Sequence, residues 1–356
     1  MILFGGAMKP PYLFIKMAIV ALIALSCWTV ACSGIQAQDT KFQEEIAKEL
    51  IDLAQAGYYE LDDDGNVIKF GASNHQIYYE DKSKPPAPGI DDANFRKILK
   101  FPKLQAIFLE KQPLNNSSYM LIAQLPEIID LRLHYANDKQ FREKLGDSFA
   151  DENFALVVNH MQKPLKILEL KHLFGIDGTI IDQLKPQPEL EKLELDNDFC
   201  GPEAVPFILA APKVRSLQLH RTTINEEDLL KIGQALKGLE VIVIRPNGNP
   251  PSGNSIDGGS LRAFEKHPSL KYMYMGIDWH NSLEYDGGLE YLATAPNMKY
   301  LHMAPNRPII SIESPQVQAL HKAAPNIIIL TKDGIIGGTR EDMIHQDEDY
   351  RWGICK

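Results

Sequence analysis

The feature that most constrains this chain is a six-residue frame that returns eight times. In "LEKLELDND", Leu190, Leu193 and Leu195 fill its first, fourth and sixth positions. The same frame begins at residues 104, 128, 165, 190, 214, 239, 270 and 298. Its triplets are Leu104/Ile107/Leu109, Ile128/Leu131/Leu133, Leu165/Leu168/Leu170, Leu190/Leu193/Leu195, Val214/Leu217/Leu219, Leu239/Ile242/Ile244, Leu270/Met273/Met275 and Met298/Leu301/Met303. With 44% of the chain hydrophobic, chance would fill all of these positions with a probability on the order of 10⁻⁹. Within one frame, the first spacing fits a helix stripe and the second a strand face.

Proline helps to decide between them. Pro102, Pro126, Pro188, Pro212, Pro268 and Pro296 each stand two residues before a frame, and Pro325 does so before a degraded ninth frame, Ile327 to Leu330. Proline stops a preceding helix and pushes its neighbour toward extended geometry, so each repeat should run helix, break, strand. The segment "EDLLKIGQALKG" agrees, with Leu229, Ile232 and Leu236 at helical spacing and Gly238 at its end.

Steps of 24, 37, 25, 24, 25, 31 and 28 residues separate the frames. At this point the chain resembles the leucine-rich repeat family, whose signature places a polar residue at the ninth position. Asp198, Thr222, Asn247, Asp278 and Asn306 stand there in the later frames; Gln112, Ala136 and Leu173 stand there in the early ones. The resemblance covers about residues 104 to 330. It implies an α/β repeat solenoid, a leucine-rich-repeat horseshoe with a parallel concave sheet and helices on the convex side. It also implies that polar ninth residues bond the backbone of neighbouring turns.

A solenoid must cover its exposed core ends. Residues 38–100 read as an N-terminal helical cap and first strand, the repeats as 101–333, and 334–356 as an acidic tail that either caps the last turn or is disordered. In the cap, Phe42, Ile46, Leu50 and Leu53 share a helical face, Thr40 and Gln43 have capping-box spacing, Gly57 marks a stop, and a strand begins near Val67. The long steps hold an insertion with Phe141, Leu145, Phe149 and Phe154 at helical spacing, and a Gly/Pro-rich loop from Arg245 to Ser260.

Before the cap, residues 1–37 carry Lys9 and Lys16, no acid, and an apolar run from Met17 to Ala31. This reads as a signal peptide, too short to be favoured as a membrane span. "TVAC" resembles a lipobox that would lipidate Cys32, whereas "IQA" resembles an ordinary cleavage site; both endings stand. The expectation is export to the periplasm, cell surface or medium, with contact to a membrane only through a lipid anchor. Cleavage after residue 37 leaves 35 basic against 47 acidic residues, a net charge of −12, which argues against nucleic acid as partner. Only Cys200 and Cys355 would then remain, too few for a disulfide framework, with one bridge or two free thiols both open.

In a parallel ladder, equivalent positions form columns about 4.8 Å apart. The fifth column reads Phe108, Arg132, Glu169, Glu194, Gln218, Val243, Tyr274, His302; the seventh reads Glu110, His134, Lys171, Asp196, His220, Arg245, Gly276, Ala304. These define two candidate binding surfaces: a mixed-charge centre of Arg132, His134, Glu169, Lys171, Glu194, Asp196, Gln218 and His220, and an aromatic patch of Tyr272, Tyr274, Tyr300 and His302. The leading expectation is a non-catalytic module that binds a protein or glycan and needs no cofactor. A glycosidase-like hydrolase is a second reading, because Glu169 and Glu194 would be column neighbours near the ~5 Å carboxylate spacing of retaining enzymes. Lys171 and Lys192 would neutralise them, however. A structural envelope component is a third.

No spacing in the chain is a metal signature. "ELDDDGNV" (Glu60 to Val67) imitates a calcium loop, but Gly71 stands where a bidentate glutamate is required, so an acidic turn is expected. "NNSS" (Asn115 to Ser118) offers glycosylation triplets that count only in a eukaryotic source. The chain contains no G-x-S-x-G, P-loop, H-E-x-x-H or C-x-x-C.

Overall fold

The computed structural model describes residues 40–74, 89–134, 151–171, 178–196, 201–246, 258–275, 288–303, 310–331, 333–339 and 342. The signal region with Cys32, as well as Cys200, Cys355 and most ninth-position residues, lies outside them.

Every frame is a strand in one open sheet. The strands are β1 (Ala56–Leu61), β2 (Val67–Ser73), β3 (Ala106–Glu110), β4 (Asp130–His134), β5 (Ile167–Lys171), β6 (Lys192–Asp196), β7 (Ser216–Thr222), β8 (Val241–Pro246), β9 (Tyr272–Met275), β10 (Tyr300–Met303), β11 (Ile328–Leu330) and β12 (Ile335–Ile336). They lie side by side in chain order. β2 to β11 are parallel, and one antiparallel partner closes each end, β1 on β2 and β12 on β11. The connecting segments return as short helices that stack on one another in sequence, such as Glu226–Ala235 against the 3₁₀ turn Gly258–Phe264. The chain is thus an α/β leucine-rich-repeat solenoid, a horseshoe with a parallel sheet.

All residues of the eight triplets are buried, 5% exposed at most, in one continuous core. Proline's role is sharper than a break. In the frames at 104, 190, 214 and 298, the first amide donates to the carbonyl three residues back: Leu104 to Phe101, Leu190 to Gln187, Val214 to Ala211 and Met298 to Ala295. Each proline is therefore the second residue of a turn, where its fixed φ is already correct. Two frames use side chains instead. The Leu165 amide donates to Gln187 Oε1 at 2.9 Å, and the Leu270 amide to His267 Nδ1 at 3.2 Å.

Side-chain amides also serve the early turns. Gln112 is buried; its Oε1 accepts from the Ile90 amide at 2.9 Å and its Nε2 donates to the Glu110 carbonyl at 2.9 Å. The ninth position thus bonds a neighbouring turn here, although Gln112 departs from the Asn or Cys of the family signature.

The N-terminal cap departs from expectation in several details. Its helix, Thr40–Ala54, buries Gln43, Ile46, Ala47, Leu50 and Ala54, while Phe42 is 44% exposed and Leu53 only half-buried. Gln43, expected to pair with Thr40, accepts the Val67 amide at 3.2 Å and ties the helix to β2. The helix ends at Gln55, which takes a left-handed φ of 72° and turns the chain into β1, a strand the sequence reading lacked. Gly57 lies within β1 rather than at the helix stop, because a side chain there would meet the Gly71 carbonyl.

The acidic stretch at Asp62 is a hairpin turn. Asp62 accepts from the amides of Asp64 and Asn66 and from the Asn66 side chain. In the insertion, Asp151–Asn159 is helical with Phe154 buried; Phe141, Leu145 and Phe149 lie outside the described residues. Asn115 caps the helix Asn116–Ile122 by accepting from the Ser118 amide.

Candidate functional site

Parallel register turns the predicted columns into contacts. Glu169 pairs with Arg132 on one side and Glu194 on the other, and Glu194 pairs with Gln218. His134 is in register with Lys171, Lys171 with Asp196, and Asp196 with His220. Because side chains alternate along a strand, the third frame position also faces this side. Two residues enter from it, Lys192, expected from the sequence beside the two glutamates, and Asp130, which was not. The period-2 rule alone was enough to find them.

Together these side chains form an ion network. Arg132 donates twice to Asp130, Nε and Nη2 each at 2.8 Å, and its Nη1 stands 3.5 Å from Glu169 Oε1. Lys192 Nζ is 2.6 Å from Glu169 Oε1 and 4.0 Å from Glu194 Oε2. His134 Nε2 lies 3.3 Å from Glu169 Oε2. Lys171 Nζ is 2.8 Å from Glu194 Oε1, and His220 Nε2 is 3.5 Å from that same oxygen. The two glutamate side chains are 4% and 5% exposed, whereas Lys171, at the network's rim, is 28% exposed.

Their environments pull the two carboxyls apart. For Glu169 burial is the largest influence and raises the pKa, but the His134 hydrogen bond and the charges of Lys192 and Arg132 outweigh it, so the carboxyl is held below its ordinary range. For Glu194 burial, followed by the negative charge of Glu169, outweighs Lys171, so the carboxyl is pushed up.

The cap reaches this network from β1. Tyr58 is in register with Gly71, which is in register with Phe108. A Cβ on Gly71 would stand 2.3 Å from the Tyr58 ring, so the glycine lets the ring lie across β2. Burial raises the Tyr58 pKa, and the charges of Arg132 and Asp130 are within electrostatic reach of its phenol. Phe108 meets the His134 ring edge-on with centroids 4.8 Å apart. No short-range sequence signal marks Tyr58, because its place depends on the antiparallel hairpin.

At the other end the third and fifth columns carry no acidic or basic residue other than His302 among the described residues. Val241, Tyr272, Tyr300 and Ile328 form the third column, and Val243, Tyr274, His302 and Leu330 the fifth. The Tyr272 and Tyr300 rings are tilted at 33° with centroids 6.3 Å apart; Tyr274 and His302 meet edge-on at 4.6 Å. Tyr272 is buried, while Tyr274, Tyr300 and His302 are half-buried. The side chain of Asp196 lies outside the description, although its strand position is fixed.

Among the described residues, no group of His, Cys, Asp and Glu is arranged to hold a metal ion, and no helix is long and apolar enough to cross a membrane. No family model matches the chain, and no curated protein matches it. Among solved structures, the crystal structure of the Rad7 and Elc1 complex in yeast is similar at 15% identity over 94% of this chain and 97% of that chain, with a TM-score of 0.47. The TLR13–ssRNA13 complex is similar at 13% identity over 58% of this chain and 30% of that chain, with a TM-score of 0.33. Likeness at this level assigns neither family nor partner. The fold rests on the chain's own sheet and register.

Proposed function

We propose that this protein is a non-catalytic, exported interaction module that binds a protein or glycan through the concave face of its solenoid. The observation that carries this reading is the uninterrupted parallel face on which a charged centre and an aromatic block stand side by side. Half-buried Tyr274, Tyr300 and His302 next to buried Tyr272 provide apolar area with polar tips, the composition of binding hot spots. Export rests on the N-terminal sequence.

The geometry works against the hydrolase reading. Opposed pKa shifts on paired carboxylates are a pattern of acid–base sites. A nucleophile must be reachable, however, and Glu169 is buried with both oxygens engaged, by Lys192 and Arg132 on one and His134 on the other. A sugar ring would have to break that network to approach.

The test is a pull-down from the native cell envelope with the mature chain, beside a Tyr272→Ala/Tyr274→Ala/Tyr300→Ala variant. A partner retained by the parent and lost by the variant supports the aromatic surface; equal retention removes it. A structural envelope component would show no partner that depends on either surface. Mass spectrometry of the mature N-terminus decides whether Cys32 is lipidated.

A further inference from the structure

Each glutamate of the concave centre has one histidine as partner: His134 with Glu169 at 3.3 Å and His220 with Glu194 at 3.5 Å. Both imidazoles belong to the seventh column, at the outer rim of the network, and their side chains are 13% and 10% exposed. The aliphatic core lies on the opposite face of the sheet, so these groups contribute nothing to it.

The charges around each ring are defined by register. His134 faces Glu110 and Phe108 on β3 and Glu169 and Lys171 on β5, with Arg132 on its own strand. His220 lies beside Glu194 and is in register with Asp196 on β6 and Arg245 on β8, with Gln218 on its own strand. From β3 to β7 the described side chains on this face are the acids Glu110, Asp130, Glu169 and Glu194 against the bases Arg132, Lys171 and Lys192. With neutral imidazoles the balance is one negative charge. Two added protons turn it into one positive charge.

Protonation also redistributes partners. A cationic His134 competes with Lys192 and Arg132 for Glu169, and a cationic His220 competes with Lys171 for Glu194. The cation displaced most readily is Lys171, the most exposed member of the network, whose amine then becomes available to an incoming anion. We propose that His134 and His220 make the concave face a proton-dependent site for an acidic protein segment, which it captures in mild acid and releases near neutrality. This rests on the interaction-module reading and names the partner's chemistry and its control.

The test uses the full mature chain and, as probe, a fluorescent poly-aspartate peptide of roughly ten residues, whose side chains stay ionised throughout the range. Anisotropy titrations are run at about pH 5.5 and about pH 7.5, on either side of the ordinary histidine value, at one ionic strength. The expected result is binding tighter by about fivefold or more at the lower pH, falling to less than about twofold dependence in His134→Gln/His220→Gln. Each single histidine change should remove part of the dependence, which keeps the test decisive if the double variant folds poorly. His321→Gln, on the helix Pro315–Ala323, should retain it in full. No binding at either pH, or a dependence unchanged in the double variant and in both single variants, would overturn the proposal. A flat profile with a partner that still needs the tyrosines overturns the switch alone. A steep, histidine-dependent profile with no tyrosine effect overturns the aromatic surface alone.

Discussion

Lys192 Nζ lies 2.6 Å from Glu169 Oε1 across neighbouring strands, with the lysine side chain 9% and the glutamate 4% exposed. Removing Lys192 takes from the buried Glu169 its shortest ionic contact and leaves only Arg132 and His134 to compensate it. Lys192→Met is expected to cost about 3 to 5 kcal/mol of unfolding free energy, and Lys192→Met/Glu169→Leu to recover most of it. Urea unfolding of the three proteins measures this; a double variant no more stable than the single would refute the pairing.

The same pair sets a pH dependence. Glu169 is held below its ordinary 4.5, so its stabilisation is complete above that value and is lost as the pH falls below it. Glu194 has the opposite sign. Its raised pKa means the folded state favours the proton, a penalty at neutral pH that fades as the pH falls through the folded value. Glu169→Gln should therefore flatten acid destabilisation below about pH 4.5, whereas Glu194→Gln should raise stability at neutral pH relative to acid. Unfolding free energies across this range give both slopes.

His267 is buried, donates through Nε2 to the Leu236 carbonyl at 3.1 Å, and accepts the Leu270 amide at Nδ1. Only the neutral ring can do both. Burial is the largest influence and lowers its pKa from 6.5, so the unfolded chain binds the proton more readily. Stability should be complete above pH 6.5 and decline as the pH falls below it. Denaturant melts of His267→Gln that keep the parent's slope between about pH 5 and about pH 7 would contradict this assignment.

Gly233 and Gly238 make a matched pair. A Cβ at Gly233 would stand 2.2 Å from the Ala263 carbonyl, where the helix Glu226–Ala235 meets the next repeat; at Gly238 it would meet nothing within 4 Å. Gly233→Ala is expected to destabilise by about 1 to 3 kcal/mol, as overpacking does. Gly238→Ala should stay within about 0.5 kcal/mol of the parent. Thermal melts compare the two directly.

Gln112 serves the backbone of the preceding turn. Gln112→Leu would leave the buried Ile90 amide without its acceptor and should cost about 1 to 3 kcal/mol, with faster amide exchange at Ile90. Unchanged exchange there would argue that the turn is held some other way.

The sequence by itself determined the strands. A sheet face buried in a shared core must repeat the same apolar positions in every turn, so each frame announces its neighbours' register as well as its own structure. Leu193 and Leu195 looked ambiguous alone and became unambiguous as one of eight. That register by itself places Glu169 beside Glu194.

What the tertiary structure decided depends on contacts that no repeat encodes. Tyr58 reaches the concave face because Gln55 turns the chain back through a hairpin and Gly71 leaves room for a ring. Phe42 stays exposed because β2 packs on the neighbouring face of its helix. The opposite shifts of Glu169 and Glu194, identical residues in one column, arise because His134 and Arg132 on β4 and Lys192 on β6 all serve Glu169, whereas Glu194 has the negative charge of Glu169 beside it. Periodicity fixes where side chains stand; burial and the choice of partner fix what they do.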